Sequence, residues 1–515
     1  MWDTVVGRSA DRRSPPSPSP AYRNTRCAEK SGTESVTSDA TRVEPLIPDP
    51  PAKGRYARQR PVWVIVAVLI AVEIISAFET SMMYAAIPTL IKDFGSDATT
   101  VGWAVTAFLL VAAASAAACG RLGDMYGRER VLVVLLALAA LGSLISALGD
   151  SLGSIIVGRT IQGVAGAILP LCIGLAREHL PPARVPVAVA LISGTAVTAG
   201  AASLLVAGLL IDYASWHMIF VVAAAYSLFA LFLVLFVLPW RRPKGTKEAI
   251  DYIGAVLFAA SVAAVLLGIN KVGAWGWSDP RFLALVIGGL AGLALLVRWE
   301  LKVRNPLISV SLFADRKFSL TMLATLAIAM GPLGVVTMII PIVMQSPTTG
   351  SFGLGLSATH AGWLSFIGSL FGFACTPISG RIAAAVGARM SMLLGSALFV
   401  VGVVVMLTAH SSELAMTAMV VVVSVATAFA YTALPILVVE SVPERNTSET
   451  TGTQTVLRMA GQGVGTSLAT MILTATVTSQ GAMTITGLNL VGAMIVICTV
   501  VAIALTVMIP KRTAA

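Results

Sequence analysis

From residue 62 onward the apolar positions run together in long blocks, broken only by short stretches rich in Gly, Pro and charged residues. A helix needs about 20 consecutive apolar residues to cross a hydrocarbon core about 30 Å thick. Runs of that length fall at 62–88, 98–118, 131–149, 152–175, 186–209, 217–239, 251–271, 281–299, 318–345, 357–378, 390–409, 413–439, 452–475 and 485–509. The pattern predicts an all-α integral membrane protein with fourteen transmembrane helices. Residues 1–61 differ: Ser, Pro and Arg cluster between Arg12 and Pro20, and no apolar run occurs. Such a segment cannot bury a core and lacks the apolar middle of a signal peptide, so it is expected to stay attached as a disordered basic tail.

Composition agrees with this reading. The chain is 57% hydrophobic and 12% charged, with mean hydropathy +0.87, against about a quarter charged in soluble domains. The net charge of +10 does not point to nucleic acid, because its distribution follows the membrane. With the tail inside, the inside connections carry Arg121, Arg128, Arg130, Arg177, Arg184, Arg241, Arg242, Lys244, Lys247, Arg298, Lys302, Arg304, Arg316, Lys317, Arg381, Arg389, Arg445 and Arg458. Outside connections hold only Lys92, Lys271 and Arg281. This positive-inside asymmetry predicts cytoplasmic N- and C-termini and an even number of spans, with the plasma membrane as location. The five cysteines form no CxxC pattern and the four histidines scatter over span ends and connections, so neither a disulfide framework nor a metal site is expected.

The chain also resembles itself. The stretch from Gly120 to Arg130 shares Gly-Arg and a second Gly seven positions on with the stretch from Gly380 to Met390. Two six-helix halves, 62–240 and 318–509, separated by an extra helix pair at 251–299, account for this offset. Parallel repeats of that kind form a transporter plan with the substrate site between the halves.

Ionisable groups inside hydrocarbon cost about 2.5–3.5 kcal/mol on insertion scales, so each one needs a reason. The first span, centred near Ser76, contains Glu73 and Glu79, each about 4.5 Å from the midplane. Six residues apart, they point about 120° away from each other, so at most one faces a central cavity squarely. An acid there that gives up its proton when water or a ligand arrives supplies the basis for proton-coupled exchange. Arg159, in Gly158-Arg-Thr-Ile-Gln-Gly163, cannot escape its cost by deprotonating and is expected to hold a fixed partner, with Gln162 one turn on and Gly163 admitting a close helix. Between the second and third spans, Gly120, Gly123 and Gly127 permit a compact turn. There Asp124, among Arg121, Arg128 and Arg130, can pair with one of them or meet a helix N-terminus.

These residues carry a resemblance. Gly120 to Arg130 resembles the signature stretch between the second and third helices of the major facilitator superfamily. Arg159, Gln162 and Gly163 resemble its fourth-helix motif, linked in the family to proton transfer. Glu79-Thr-Ser-Met-Met-Tyr-Ala-Ala-Ile-Pro88 resembles the first-helix motif of the fourteen-span drug/proton antiporters. The resemblance covers residues 62–509 and implies a major facilitator fold in which Asp124 pairs with Arg128 or Arg121 and faces the helix starting near Gly452. With the buried-acid argument, Glu79, with Glu73 and Arg159, is expected to couple protons, and Met82, Met83, Tyr84 and Gln162 are candidates to line a substrate cavity. Two departures stand out. Glu79 takes the place of the more common Asp, and of the fifth-span Gly-Pro-x-x-Gly-Gly element, read onto Ser203-Leu-Leu-Val-Ala-Gly208, only Gly208 remains.

The function expected is a proton-coupled exporter of amphipathic or cationic small molecules. Alternatives are export of a lipid or endogenous metabolite, import of a solute, or a transport-inactive receptor or scaffold using the tail. Small-molecule substrate, protons and the bilayer are the expected partners of a monomer without cofactor. No nucleophile–base pair, metal cluster or nucleotide loop suggests an enzyme.

Overall fold

The computed structural model describes residues 61–96, 98–240, 251–303, 310–346, 353–356, 358–409, 411–476 and 484–510. The tail assigned to 1–61 (save Pro61), the basic connection at 241–250, Cys27 and His410 lie outside these residues. Sixteen α-helices follow in order. They are α1 (Val62–Phe94), α2 (Ala98–Tyr126), α3 (Arg128–Leu148), α4 (Leu152–Gln162), α5 (Ile168–His179), α6 (Val185–Tyr213), α7 (His217–Val237) and α8 (Tyr252–Trp275). The remainder are α9 (Pro280–Glu300), α10 (Arg316–Ile328), α11 (Gly334–Gln345), α12 (Ala358–Val386), α13 (Ala388–Ala409), α14 (Glu413–Val439), α15 (Thr447–Ala475) and α16 (Ile485–Met508). Starts are marked by caps: the side chains of Ser151, Asp251, Asp279, Asp315, Ser412 and Thr484 each accept a first-turn N–H.

Two predicted spans contain a break that apolar periodicity does not register. A 3-10 turn, Gly163–Ala167, links α4 to α5, and a π turn, Ala329–Leu333, links α10 to α11 around Pro332. Proline lacks the N–H that an α-helix needs, which accounts for the second. Counting each broken pair as one rod, the helices of the described residues make fourteen rods. Twelve of these are long and apolar enough to cross a membrane, against the fourteen spans predicted; the others are α8, whose apolar stretch is the shorter Ile253–Ile269, and α15. The cause in α15 is a first half rich in Ser, Thr, Glu, Gln and Arg.

That same half moves a boundary. The expected start near Gly452 is too late, because α15 begins at Thr447. Arg458, assigned to an inside connection, therefore sits eleven residues inside a helix. The turn expected over 120–130 is likewise mostly helix: α2 runs to Tyr126, and only Gly127, at φ 104°, breaks it. Its counterpart Gly387, at φ 101°, separates α12 from α13 in the same way. A side chain is disfavoured at such φ, so glycine is required at both turns.

Helix α1 packs on α6 and α7, and α3 on α4 and α7; later in the chain α14 packs on α12 and α13, and α10 on α16. Contacts of α2 with α15, α6 with α12 and α14, and α5 with α15 join the first group to the last. Helices α8 and α9 pair with each other, and α8 also lies against α2 and α15.

Candidate functional site

The most buried polar cluster lies among α1 to α4. Glu79 and Arg159 are both fully buried, as is Gln162. Arg159 Nη1 donates to the backbone oxygen of Glu79 at 2.8 Å and to Gln162 Oε1 at 3.0 Å, while Nε reaches the carbonyl of Ala104 at 3.4 Å. Its guanidinium carbon stands 4.1 Å from the centre of the Phe108 ring, a cation–π contact. Arg159 thus holds the main chain of Glu79 and leaves the carboxylate to another partner. That partner is Ser143, whose Oγ donates to Glu79 Oε1 at 3.2 Å and accepts from Gln162 Nε2 at 2.6 Å. Glu79 Oε2 and Arg159 Nη2 have no hydrogen-bond partner. The helices close over this cluster because Gly163 admits α2: a Cβ there would lie 2.7 Å from the Phe108 oxygen. The sequence reading missed Ser143, which looks like any small residue of an apolar span.

The second cluster binds α2 and α3 to the start of α15. Asp124 Oδ2 accepts the Glu449 N–H at 2.9 Å, and Oδ1 accepts Arg128 Nε at 2.8 Å, so the acid caps the positive end of α15. Arg128 also reaches Ser448 Oγ (2.9 Å), the Glu444 oxygen (2.7 Å), the Gly174 oxygen (3.1 Å) and Glu178 Oε2 (2.9 Å). Arg121 pairs with Glu449 at 3.1 Å, and Arg177 donates to Thr447 Oγ1 at 2.8 Å. Gly120 lets the helices meet; a Cβ on it would stand 2.4 Å from the Ser448 oxygen. Gly123 packs beneath Leu171, whereas Arg130 is exposed and stands apart from the cluster. Close by, the ligand atoms of Glu129, Glu178 and His179 lie within 4.8 Å of one another, engaged in His179–Glu129 and Glu178–Arg128 pairs.

Between the first and last groups lies a narrow cavity of about 20 Å³. It is lined by Leu169 and Ile173 of α5, Ser193 of α6, Tyr431, Leu434 and Pro435 of α14, and Thr451, Gln454, Thr455 and Arg458 of α15. None of the residues expected to line a cavity is in the lining of this one. Met82 and Met83 are buried in the apolar core, because their face of α1 turns into the packing of the first group. Gln162 belongs to the Arg159 cluster, and Tyr84, half exposed, lies away from this cavity. Glu73, also buried, has one oxygen without a partner. It is not among the lining residues, but it is within reach of the charge on Arg458.

A bundle of long apolar helices, twelve of them able to cross a membrane among the described residues, defines a multi-pass membrane protein. The chain belongs to the Major Facilitator Superfamily, which it matches over residues 69–346 and 318–514. It is 29% identical over 264 residues to a tetracenomycin C resistance and export protein of Streptomyces glaucescens, covering 51% of this chain and 48% of that one. It is 28% identical over 353 residues to a uridine/deoxyuridine transporter of Lactococcus lactis, covering 66% and 72%. Against the multidrug export protein EmrB of Haemophilus influenzae it is 29% identical over 305 residues, covering 59% and 58%. The chain spans about half the length of the first of these relatives. Among solved structures, the human organic anion transporter MFSD10 shares the fold at TM-score 0.61 and 15% identity, covering 88% of this chain and 100% of that one. The proton:xylose symporter XylE does so at 0.58 and 14%, covering 87% and 96%.

Proposed function

We propose that the chain is a secondary active transporter, a proton-coupled exporter of amphipathic small molecules, acting as a monomer in the plasma membrane with both termini cytoplasmic. In this reading all fourteen rods cross the bilayer, as halves 62–240 and 318–509 flanking the pair 251–299. The matching turns at Gly127 and Gly387 support such a repeat. The observation that carries the proposal is the buried carboxyl of Glu79, with one oxygen on Ser143 and the other unpartnered, beside an arginine that grips its main chain. An acid held so, with no permanent counter-ion on its oxygens, can take or release a proton when rearrangement admits water. The Asp124–Arg128–α15 cluster serves as the clamp that forms and breaks as the halves rock. The export and multidrug names of two relatives support the direction.

The test is uphill efflux and proton movement in energised vesicles, comparing the parent chain with Glu79→Gln over a compound panel. Uphill transport falls at least tenfold in the variant while downhill exchange continues. Unimpaired uphill transport of every exported compound would remove Glu79 from the coupling role.

A further inference from the structure

The central cavity contains a cation that none of the motifs accounts for. Arg458 sits eleven residues into α15, and Glu73 the same distance into α1, about 16 Å from their starts at 1.5 Å per residue. Both helices start at the face where α2 ends against α15, so Arg458 lies deep within the bundle. Its guanidinium stacks on the Tyr431 ring at 4.6 Å and donates to the Tyr431 hydroxyl. Among the described residues it makes no ion pair. An arginine in a membrane interior without a paired carboxylate is held at a cost, since it cannot deprotonate to escape.

The rest of the lining points the same way. It includes no Asp or Glu. Ser193, fully buried and part of the wall, has a hydroxyl without a hydrogen-bond partner. The hydroxyl protons of Thr451 and Thr455 go to carbonyls of their own helix, leaving Arg458, Ser193 and the Tyr431 hydroxyl, which accepts from Arg458, as donors. Leu169, Ile173, Leu434 and Pro435 make up the apolar part of the lining.

We propose that Arg458 and Ser193 form an anion subsite, so that the substrate is an amphipathic organic anion with its charged head at Arg458 and its body on the apolar part of the lining. This rests on the transport reading and narrows it. A carboxylate matches the planar fork of a guanidinium and forms the close ion pair that Arg458 lacks with Glu73, whose carboxyl interacts with it only from outside the lining, whereas a cationic head would meet a like charge on the lining in a weakly screened site.

The test is binding by the full chain in nanodiscs of three ligands sharing one aromatic body: radiolabelled naphthalene-1-acetate, its uncharged amide and 2-(1-naphthyl)ethylammonium. The carboxylate binds at least tenfold more tightly than the amide, and the ammonium most weakly. Arg458→Gln brings the carboxylate down to the level of the amide, Arg458→Lys retains part of the preference, and Ser193→Ala weakens the carboxylate several-fold. Thermal unfolding reports whether each variant folds; should Arg458→Gln not fold, the carboxylate-to-amide ratio in the other two decides. An ammonium that binds as well as the carboxylate, a preference indifferent to these substitutions, or no binding of any of the three overturns the subsite. Because binding needs no proton gradient, these outcomes are separate from the Glu79 efflux result.

Discussion

Ser143 is a small residue that joins two larger ones. It gives its proton to Glu79 or to its own helix carbonyl and accepts from Gln162, which in turn receives Arg159. Removing its hydroxyl leaves a buried amide N–H and a carboxylate oxygen unsatisfied, at about 1–3 kcal/mol. Ser143→Ala therefore lowers the thermal unfolding midpoint of the purified protein, and Ser143→Thr recovers part of the loss; an unchanged midpoint in the alanine variant contradicts the network. Glu79, Arg159 and Asp124 stood out in the sequence because charge within an apolar run is costly and easily seen. Ser143 and Ser193 did not, because a hydroxyl can back-bond to its own helix and costs little until its neighbours are known.

At the scale of the element, glycine decides which helices touch. Gly120 meets α15, and Gly380, its repeat partner, meets α6 with a would-be Cβ 2.8 Å from the Val187 Cα. The first contact carries the Asp124 and Arg128 clamp, whereas the second has Ala384 and Ala388 at the matching positions. Gly120→Ala thus forces α2 and α15 apart and destabilises the clamped state, while Gly362→Ala, with nothing within 4 Å, is neutral or stabilises by up to about 1 kcal/mol. Thermal unfolding of the two variants side by side checks this; equal effects would mean that the close approach is unimportant. The start of α15 lies earlier than the apolar pattern predicts for a related reason. Polar residues there read as a connection in the sequence, yet their partners lie on α2, α3 and α5.

For the whole molecule, the clamp predicts a cycle in which it must open. Asp124→Cys paired with Ser448→Cys, in a background free of native cysteines, should give a cross-link across α2 and α15 under oxidation. Transport then falls at least tenfold below that of the same variant kept reduced, which itself lacks the Asp124 carboxylate, while ligand binding persists. Full transport with the cross-link in place would mean that this face stays closed throughout the cycle.

Hydrophobic run length by itself determined that this is a helical membrane protein. The charged exceptions marked Glu79, Arg159 and the Asp124 cluster, because burial cost is a property of each residue and its immediate neighbours. Tertiary structure alone decided that Arg159 grips a carbonyl, that Met82 and Met83 are core, and that Arg458 belongs to a cavity. Each of those depends on which residues distant in the chain come within about 3 Å, and the period of a single helix carries no record of its neighbours.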